Sequence, residues 1–496
     1  MICSLPSIEL TSSIGSDVAV LVVGLANAGG EERLVGLPDE FQTGWQDTFN
    51  KSVLEVAKAV GAKTEPGNVG TFIAPGGLLV LATGIGNADA NPEMVRRGVG
   101  TALQAVVKLP DAAGLTVTLS LGSVDPNVIK AAVEGALLGA YQYQCKAEPA
   151  VAQIQIVSAV EASTQAAIDA GCLTAAAVCQ GRDWINLPAN ELYPQSFVAM
   201  VEQAAKDVPV EITVWDEVML AEAGFGGIIA VGSGSARQPR LLKVSYSPPD
   251  AKQQLVLVGK GVTFDSGGLN LKPADSMYTM RHDMAGAASV IAAVLAIAKL
   301  GVATKVIAYG AMAENMPSGT AFRPSDVIQM YSGKTVENAN SDAEGRLLLA
   351  DVLAKSGEDA PDLLLDVATL TGACIVALGE RVGGLMTSDA ETAEEILTAA
   401  AVAGELLWQL PIPEETKDKL KSKVADIKSS GDRYGGALSA AAFLSEFVPA
   451  DTNWAHLDIA GPAFNTHAGY NYVTEGATGM SIRTLIEVAK ALETGK

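Results

Sequence analysis

The stretch NSDAEGRL, residues 340–347, places two acids and a guanidinium within five positions. Asp342, Glu344 and Arg346 stand at the mouth of the apolar run LLLADVLA, which predicts a buried helix that opens near Gly345. Acids at a helix start commonly cap free N–H groups and favour the helix dipole, so capping is one interpretation of this pattern. The other interpretation is that these side chains hold a ligand.

A second group of polar residues lies in VGKGVTFDSGGLNLKP, residues 258–273. The block follows a predicted strand and carries Lys260, Asp265 and Lys272, and its four glycines indicate an irregular backbone of the kind that surrounds ligands. Ten residues further on, RHDMAGAAS places Asp283 at the start of an Ala-rich helix. Taken singly, Asp283 predicts an N-cap and the two lysines predict solvated surface positions.

The expected sheet brings these blocks together, because ligands of open α/β sheets bind in the crevice beyond the carboxyl ends of the strands. The carboxylates expected to converge there are Asp265, Asp283, Asp342 and Glu344. Clustered carboxylates raise one another's pKa values unless a multivalent cation neutralises them. Oxygen-rich sites suit Mg²⁺, Mn²⁺ or Zn²⁺, and two ions ~3.5–4 Å apart can share bridging carboxylates. The pattern therefore predicts a dinuclear metal hydrolase.

Other common site types are missing from the sequence. It contains no HExxH, GxSxG or GxxxxGK[ST] motif, which argues against a zincin, an α/β-hydrolase elbow and a P-loop. VGSGS (231–235) and TGIGN (83–87) leave GxGxxG incomplete and predict tight glycine turns. The three histidines, His282, His456 and His467, are interpreted as structural.

Short β-branched runs alternate with Ala-rich helical runs along the chain, which predicts two α/β domains. Strands are predicted at 17–25, 77–86, 114–122, 211–216, 227–234, 240–247, 253–262, 304–313 and 362–370. Helices are predicted at 49–62, 94–109, 128–143, 162–187, 284–301 and 345–358. The predicted domains are a smaller N-terminal one (1–161), a long connecting helix (162–187) and a larger catalytic one (188–496), whose mixed central sheet is flanked by helices.

Composition limits the possible functions. Hydrophobic residues make up 49% of the 496 residues and the formal net charge is −22, which favours a large buried core and disfavours binding to nucleic acid or anionic membranes. The five cysteines are dispersed without a CxxC pair, as is typical of a reducing compartment. The N-terminus lacks the pattern of a secretory signal, and apolar runs such as 285–298 are too short to span a membrane. A cytoplasmic location is predicted.

NSDAEGRLLLAD resembles the signature of the leucyl aminopeptidase (cytosol aminopeptidase) family, which usually reads NTDAEGRL, with Ser341 here in place of Thr. VGKGVTFDSGGLNLKP, MRHDMAGAAS, DVATLTGA (366–373) and WAHLDIAGPAF (454–464) resemble further blocks of that family in order and spacing. The resemblance covers most of residues 255–480. For the N-terminal part it implies only the family's smaller, variable α/β domain.

The resemblance implies two divalent metal ions per subunit, Zn²⁺ or Mn²⁺, with Mg²⁺ as a further candidate. Asp265 and Glu344 would bridge the ions, and Asp342 would complete the more exchangeable site. Lys260 and Asp283 would complete the tighter site, which requires a neutral lysine and therefore a strongly lowered lysine pKa.

The resemblance also implies the remaining roles. Lys272 would stabilise the tetrahedral gem-diolate, and Arg346 would hold a bicarbonate that acts as general base. The bicarbonate site would consist of Ala343, Gly345, Arg346 and Leu370. A helix N-terminus with an Arg fork is a natural anion site, and Gly345 would let a small anion approach the backbone. The substrate-binding residues would be Lys272, Asp283, Met280, Thr369, Gly372 and Ala477.

The predicted activity is therefore that of a metal-dependent exopeptidase that releases N-terminal residues, with Leu-like residues preferred. The family further implies a homohexamer, arranged as a dimer of trimers. Two alternatives stay open: a Cys-Gly-type dipeptidase, and a non-catalytic DNA-binding or chaperone-like hexamer. The net charge of −22 argues against DNA binding.

Overall fold

The computed structural model describes residues 4–16, 18–39, 41–42, 45–46, 51–87, 91–143 and 149–494. Cys3, Cys145 and the first two positions of the helix predicted at 49–62 lie outside the described residues. Contacts divide the chain into a first compact unit, up to Gln180 together with Asn465–Gly476, and a second unit, Gly181–Phe464 together with the chain from Ala477. The predicted α/β class is confirmed, while the predicted domain limits 1–161, 162–187 and 188–496 stay a prediction.

The first unit is built on a mainly parallel sheet. Its strands are β1 (Ser7–Thr11), β2 (Val20–Ala28), β3 (Glu31–Val35), β4 (Val69–Ile73), β5 (Leu79–Asn87), β6 (Thr116–Ser120) and β7 (Gln153–Val157). The order is β1-β7-β6-β2-β5-β4, and β3 pairs with β2. Its helices are α1 (Val53–Ala59), α2 (Pro92–Val106) and α3 (Pro126–Ala140), and the predicted long helix, α4 (Ala162–Asn186), begins in the first unit and ends in the second. Asn91 and Asp125 cap α2 and α3 ahead of a proline at the first helical position.

The second unit contains a larger, mixed sheet. Its strands are β8 (Glu211–Trp215), β9 (Arg240–Tyr246), β10 (Gln254–Asp265), β11 (Lys305–Asn315), β14 (Leu363–Ala368), β15 (Gly383–Met386), β16 (Leu407–Leu410) and β18 (Trp454–Asp458). The order is β16-β15-β18-β14-β10-β11-β9-β8. Two small sheets are formed by β12 (Val327–Gln329), β13 (Thr335–Glu337) and β17 (Ile427–Lys428), and by β19 (Phe464–Asn465) and β20 (Gly476–Ala477).

Helices flank this sheet. They are α5 (Pro194–Ala204), α6 (Glu217–Ala223), α7 (Gly226–Gly232), α8 (Ala274–Met277), α9 (Ala285–Leu300), α10 (Gly345–Ser356), α11 (Gly372–Leu378), α12 (Ala390–Ala403), α13 (Glu415–Asp418), α14 (Gly436–Ser445) and α15 (Ile482–Thr494). Strands β10, β11, β14 and β18 are parallel neighbours at the centre, while β9 and β15 pair antiparallel on either side. Buried parallel strands require near-continuous apolar sequence, which explains runs such as QLVLVG in β10.

Two glycines bring α9 directly onto the sheet. A Cβ atom on Gly259 would lie 2.5 Å from the Cα of Ala287, and one on Gly286 would lie 2.0 Å from the carbonyl oxygen of Val367. No other residue fits at such distances, so the start of α9 is held against β10 and β14. This contact places Asp283, two residues before the helix, beside the carboxyl ends of both strands.

Among the described residues, one mainly helical stretch, Ala274–Leu300, which contains α8 and α9, is long and apolar enough to cross a membrane, and 89% of its most apolar window is buried inside the protein. Such burial is typical of a core helix, which agrees with the interpretation of residues 285–298 as a buried helix.

The strand predicted at 227–234 is wrong, because this segment forms helix α7. An apolar run between glycines fits a buried strand or a buried helix equally well. The structure settles the choice through Asp351 of α10, whose Oδ2 accepts a 3.0 Å hydrogen bond from the N–H of Ile228 in the first turn. That acceptor lies 123 residues further along the chain, beyond the reach of any local pattern.

Candidate metal centre

Strand β10 supplies two of the predicted ligands. It continues to Asp265, three residues beyond the predicted end at 262, so Lys260 and Asp265 both lie within the strand. Both are buried, with relative exposures of 3% and 2%. Lys260 lies in the part of the strand that was predicted, whereas Asp265, which was predicted to follow the strand, gains the more rigid support of the sheet.

The Gly-rich segment after β10 folds back on itself. Gly267 and Gly268 have φ values of +86° and +64°, and the N–H of Lys272 donates a 2.9 Å hydrogen bond to the carbonyl oxygen of Ser266. Ser341 joins this turn to the signature segment, because its Oγ donates to the carbonyl oxygen of Gly267 at 2.7 Å. The hydroxyl that Ser341 shares with the family's usual Thr is thus structural, and it touches no predicted ligand side chain.

The acids of the signature segment do not cap α10. Glu344 is the N-cap residue, but its side chain makes no capping hydrogen bond and instead lies 2.9 Å from Lys260 Nζ. Asp342 Oδ1 lies 2.5 Å from Lys272 Nζ. The helix opens at Gly345 as predicted, and the ligand interpretation of the two acids is therefore favoured over the capping interpretation.

Asp283 is not an N-cap either. Its Oδ1 accepts hydrogen bonds of 2.8 Å from Lys260 Nζ and 2.7 Å from the hydroxyl of Thr369, and its Oδ2 lies 2.8 Å from the same ammonium. Lys260 also donates to the carbonyl oxygen of Thr369 at 2.9 Å. Lys272 completes the cluster with a 2.9 Å contact to Asp265 Oδ2. Four carboxylates from three chain segments thus surround two lysine side chains.

The electrostatics of the cluster follow from burial and from its many acids. Burial is the largest influence on Lys260 and lowers its pKa, but the charges of Asp283, Glu344 and Asp265 outweigh it and raise that pKa. The pKa of Lys272 is raised in the same way, against burial, by Asp265, Glu344 and Asp342. The pKa values of Asp283 and Asp342 are raised, chiefly by burial and further by neighbouring carboxylates.

These residues fit divalent cations. One carboxylate oxygen from each of Asp265, Asp342 and Glu344 lies within 4.8 Å of the others. Asp342 Oδ1 and Asp283 Oδ2 are buried and accept no hydrogen bond from the described chain, so each faces only a lysine ammonium. Two ammonium groups leave the four carboxylates with excess negative charge. An oxygen-rich donor set with this charge suits hard or borderline divalent ions.

The structure shows why residue 345 is a glycine, which the sequence did not. A Cβ atom at this position would lie 2.4 Å from Cε of Lys260 and 2.9 Å from its Nζ. The missing side chain therefore makes room for the Lys260 stem, which crosses the first residue of α10. The prediction that the glycine admits a small anion is a separate matter and stays a prediction.

Arg346 lies beside the cluster and is 7% exposed. Its guanidinium donates to the carbonyl oxygen of Ser429 at 2.8 Å, while its Nε–H is buried and has no partner in the described chain. Burial lowers the pKa of Arg346 to about 10, against the opposing charges of Glu344 and Asp458, so it stays a cation. A buried hydrogen-bond donor without a partner, carried by a cation, favours the binding of an anion.

The backbone N–H groups of the predicted bicarbonate site differ in their availability. That of Ala343 already donates to the carbonyl oxygen of Asn340 at 3.0 Å, and that of Leu370 donates to Asp458 Oδ1 at 3.1 Å. Within the described residues, the N–H groups of Gly345 and Arg346 make no such bond. An anion in this structure would therefore find its donors in Gly345 and Arg346.

Asp458 is a residue that sequence reasoning missed. It is fully buried, and its Oδ1 accepts hydrogen bonds from the N–H groups of Leu370, Thr371 and Ala460, while Oδ2 accepts from the Thr371 hydroxyl at 2.7 Å. It thereby fixes the segment after β14, which carries Thr369 against Lys260. Its place in the block WAHLDIAGPAF was the only signal.

The predicted substrate residues are less closely gathered. Thr369 belongs to the cluster through Asp283, and Met280 begins a helical turn that ends one residue before Asp283. Gly372 opens α11, where a Cβ atom would meet nothing within 4 Å, so this position borders open space. Ala477 is fully buried, and its N–H donates to Asn186 Oδ1 at 3.0 Å.

Two of the three histidines make contacts that agree with the structural interpretation, and the third, His467, is exposed, with its backbone N–H donating to Asn465 Oδ1 at 3.1 Å. His282 stacks on Phe464 with ring centroids 5.0 Å apart, and its Nδ1 contacts the carbonyl oxygen of Thr279. His456 is fully buried, and its Nδ1 lies 2.6 Å from Asp366 Oδ1. These ring contacts are to groups other than the side chains of predicted metal ligands, although His282 directly precedes Asp283 in the chain.

Known proteins resemble this chain along nearly its whole length. The model of the "Cytosol aminopeptidase family, catalytic domain" matches residues 180–486, and that of the family's N-terminal domain matches residues 39–146. The chain is 45% identical to a "Probable cytosol aminopeptidase" of Cutibacterium acnes, covering 96% of this chain and 94% of the relative. It is 40% identical to one of Streptomyces coelicolor, covering 99% of each.

A solved structure gives the same result. "Bottromycin maturation enzyme BotP in complex with Mn" is 36% identical to this chain and superposes with a TM-score of 0.84, covering 96% of this chain and 100% of that one. Both parts of the chain thus match the corresponding parts of one family, in sequence and in fold. The protein is a metal-dependent aminopeptidase of the cytosol aminopeptidase family.

Proposed function

We propose that this protein is a leucyl aminopeptidase with broad specificity, which releases N-terminal residues from peptides. The observation that carries the proposal is the convergence of four carboxylates and two lysines at the carboxyl ends of β10 and β14. The five predicted ligands and Lys272 form this cluster, and Arg346 lies beside it. The arrangement has no histidine, so a metal-assisted reaction must obtain its base from another group.

Two divalent ions would be held by the five residues Lys260, Asp265, Asp283, Asp342 and Glu344. When bound, such ions supply a Lewis acid and a water that is acidic enough to act as a nucleophile at neutral pH. Zn²⁺ and Mn²⁺ are the first candidates and Mg²⁺ a further one, and the similar BotP structure is described as a complex with Mn. Lys260 would act as a ligand only after losing its proton, and a divalent cation among the same carboxylates favours that loss.

Lys272 would stabilise the negative charge that develops on the scissile carbonyl oxygen. Its raised pKa keeps the side chain an ammonium, and its position between Asp265 and Asp342 keeps the charge beside the reacting groups. Asp283 would accept a hydrogen bond from the free α-amino group of the peptide through Oδ2, which lies 2.8 Å from the Lys260 ammonium and accepts no hydrogen bond from the described chain. Recognition of a free amino group makes the enzyme an exopeptidase.

Arg346 would hold a bicarbonate that serves as general base. Three donors near the N-terminus of α10 support this assignment, because none of them has a partner in the described chain and an anion could accept from them. They are the buried Nε–H of Arg346 and the backbone N–H groups of Gly345 and Arg346. A carboxylate-like base held in this way would replace the histidine that the site lacks.

The first side chain of the substrate would be received by Met280, Thr369, Gly372 and Ala477. These residues are apolar or small, which suits Leu-like side chains, and methionine adapts to different shapes. Family membership supports a homohexamer built as a dimer of trimers, and the relatives' name, cytosol aminopeptidase, supports a cytoplasmic location.

The decisive experiment measures hydrolysis of leucine p-nitroanilide before and after metal removal. We expect activity to disappear on exhaustive chelation and to return with Mn²⁺ or Zn²⁺, while N-acetyl-leucine p-nitroanilide stays uncleaved because its amino group is blocked. Full activity in protein shown to contain no metal would refute the proposal. The rate at which the same protein releases glycine from Cys-Gly, compared with its rate on leucyl peptides, decides between broad leucyl specificity and a dipeptidase.

A matched pair of variants tests the site itself. Glu344→Gln keeps the size of a buried ligand and removes its charge, so metal content and activity should both fall. Glu358→Gln makes the same change at a side chain that is 57% exposed and is paired with Lys355 and the Tyr331 hydroxyl. This variant should keep the wild-type metal content and activity. Equal behaviour of the two variants would contradict the assignment.

A further inference from the structure

Asn315, the last residue of β11, links two segments that carry predicted metal ligands. Its side chain is buried, with 1% exposure, and Nδ2 donates hydrogen bonds of 2.8 Å to Asp265 Oδ1 and 3.0 Å to the carbonyl oxygen of Ser341. Asp265 is itself a predicted ligand, and Ser341 directly precedes another, Asp342. One amide group thus sets the spacing between the strand and the signature segment.

A β-bulge brings Asn315 and Asp265 together. Val262 of β10 lies opposite Ala313 of β11, but Asp265 lies opposite Asn315, because the register shifts by one residue at Thr263. If Thr263 were paired in a regular register instead, Asp265 would lie opposite the residue that follows Asn315, and its side chain would point to the other face of the sheet. The bulge therefore aims the carboxylate at the amide.

The amide determines which oxygen of Asp265 faces the cluster. Oδ1 accepts two hydrogen bonds of 2.8 Å, from Asn315 Nδ2 and from the N–H of Gly267, which occupy its in-plane lone pairs. Oδ2 is left to face Lys272 Nζ at 2.9 Å. A ligand held in this way offers one defined oxygen to a cation.

The orientation of Asn315 is itself fixed. Its backbone carbonyl oxygen accepts hydrogen bonds from the N–H and hydroxyl of Ser266 at 3.1 and 2.7 Å, which hold the end of β11 in place, while the side-chain oxygen Oδ1 is buried and accepts no hydrogen bond from the described chain. Exchange of its amide oxygen and nitrogen would set an acceptor against both Asp265 Oδ1 and the Ser341 carbonyl, so only one orientation is stable. Gly268 makes room for the amide oxygen, since a Cβ atom there would lie 2.8 Å from it.

We propose that Asn315 is a positioning residue of the metal site, which orients Asp265 and fixes its distance from the segment of Asp342. This inference rests on the proposed metal-dependent function. Asn315 touches neither substrate nor reacting atoms in this role, and it acts through the ligands that it holds. Groups that form hydrogen bonds to metal ligands and orient them typically contribute about 10–100-fold to metal affinity, and an effect of this size is expected here.

The test compares Mn²⁺ binding by calorimetry in metal-stripped wild type, Asn315→Leu and Asn315→Ala. Leucine has a similar size without the donor, and alanine is a smaller second variant in case leucine impairs folding. Thr304→Val is the matched control, because it removes a buried 2.7 Å hydrogen bond to the carbonyl oxygen of Ala489 directly before the opposite end of the same strand. Thermal unfolding in chelator reports the loss of stability of each variant separately.

We expect both Asn315 variants to bind Mn²⁺ about 10–100-fold more weakly than the wild type, and Thr304→Val to bind it normally. Wild-type affinity in the Asn315 variants would overturn the inference and leave the proposed function intact. An equal loss of affinity in Thr304→Val would also overturn it, because general destabilisation would then explain the effect. A wild type that binds no Mn²⁺ would remove the proposed metal site, and the inference with it.

Discussion

Replacement of Lys272 by methionine should remove most of the turnover and leave metal binding intact. Lys272 Nζ lies 2.9 Å from Asp265 Oδ2 and 2.5 Å from Asp342 Oδ1, and the side chain is 16% exposed. Its raised pKa keeps the charge in place at neutral pH. Loss of one preorganised group that stabilises an oxyanion costs about 2.7–4 kcal/mol in the transition state, so kcat should fall about 10²–10³-fold.

The affinity of Lys272→Met for a metal ion should not fall together with kcat. The ammonium of Lys272 occupies carboxylate oxygens that a cation would also use, so its removal takes away a competitor. Methionine preserves most of the length of the side chain and carries no charge. We therefore expect Mn²⁺ affinity in Lys272→Met to equal or exceed that of the wild type.

The assay pairs kcat for leucine p-nitroanilide with metal content measured by mass spectrometry. Lys243→Met is the control, because Lys243 forms a similar 2.6 Å ion pair with Asp359 at 21% exposure and lies on β9, away from the cluster. It should keep the wild-type kcat. Loss of metal from Lys272→Met, or a wild-type kcat in that variant, would refute the role assigned to the lysine.

Three further predictions concern stability. Asp458→Ala leaves three backbone N–H groups and the Thr371 hydroxyl without their acceptor, so the free energy of unfolding should fall by about 3 kcal/mol or more. Asp458→Asn keeps one acceptor oxygen and should lose less stability. Equal midpoints of urea unfolding for the two variants would contradict this prediction. Ser341→Ala strands the buried carbonyl of Gly267 and should cost about 1–3 kcal/mol in the same measurement. Burial raises the pKa of Asp351 to about 7, above its unfolded value near 4, so its contribution to stability is present below about pH 4 and is lost as the pH rises to about 7. Wild type should therefore lose stability relative to Asp351→Asn across that interval, and a flat or rising difference would show that the carboxyl is ionised throughout.

The candidate site was largely predictable because its ligands stand in short blocks with unusual composition. Asp342, Glu344 and Arg346 lie within five residues, and an acid-rich segment before a buried helix is informative without any knowledge of the fold. The α/β class was likewise predictable, since strand and helix periods alternate along the chain. The convergence of these blocks followed from the rule that ligands bind beyond the carboxyl ends of strands.

Residues that act across long sequence distances were not predictable. The segment predicted as a strand at 227–234 lies largely in helix α7, whose first turn donates a hydrogen bond to Asp351, 123 residues after its donor Ile228. Leu370 was predicted to belong to the anion site, and no local pattern showed that its N–H donates to Asp458, 88 residues further along the chain. Gly345 is required by the stem of Lys260.

The sequence by itself determined the kinds of side chain at the site, the order of its strands and helices, and the excess of acid that calls for a cation. The tertiary structure alone decided the pairing of those side chains, and the clearest case is the bulge at Thr263 that sets Asp265 opposite Asn315. Local patterns encode the period of an element and its ends. The register between strands, and the approach of a helix to a sheet, depend on packing between distant segments, which no local pattern contains.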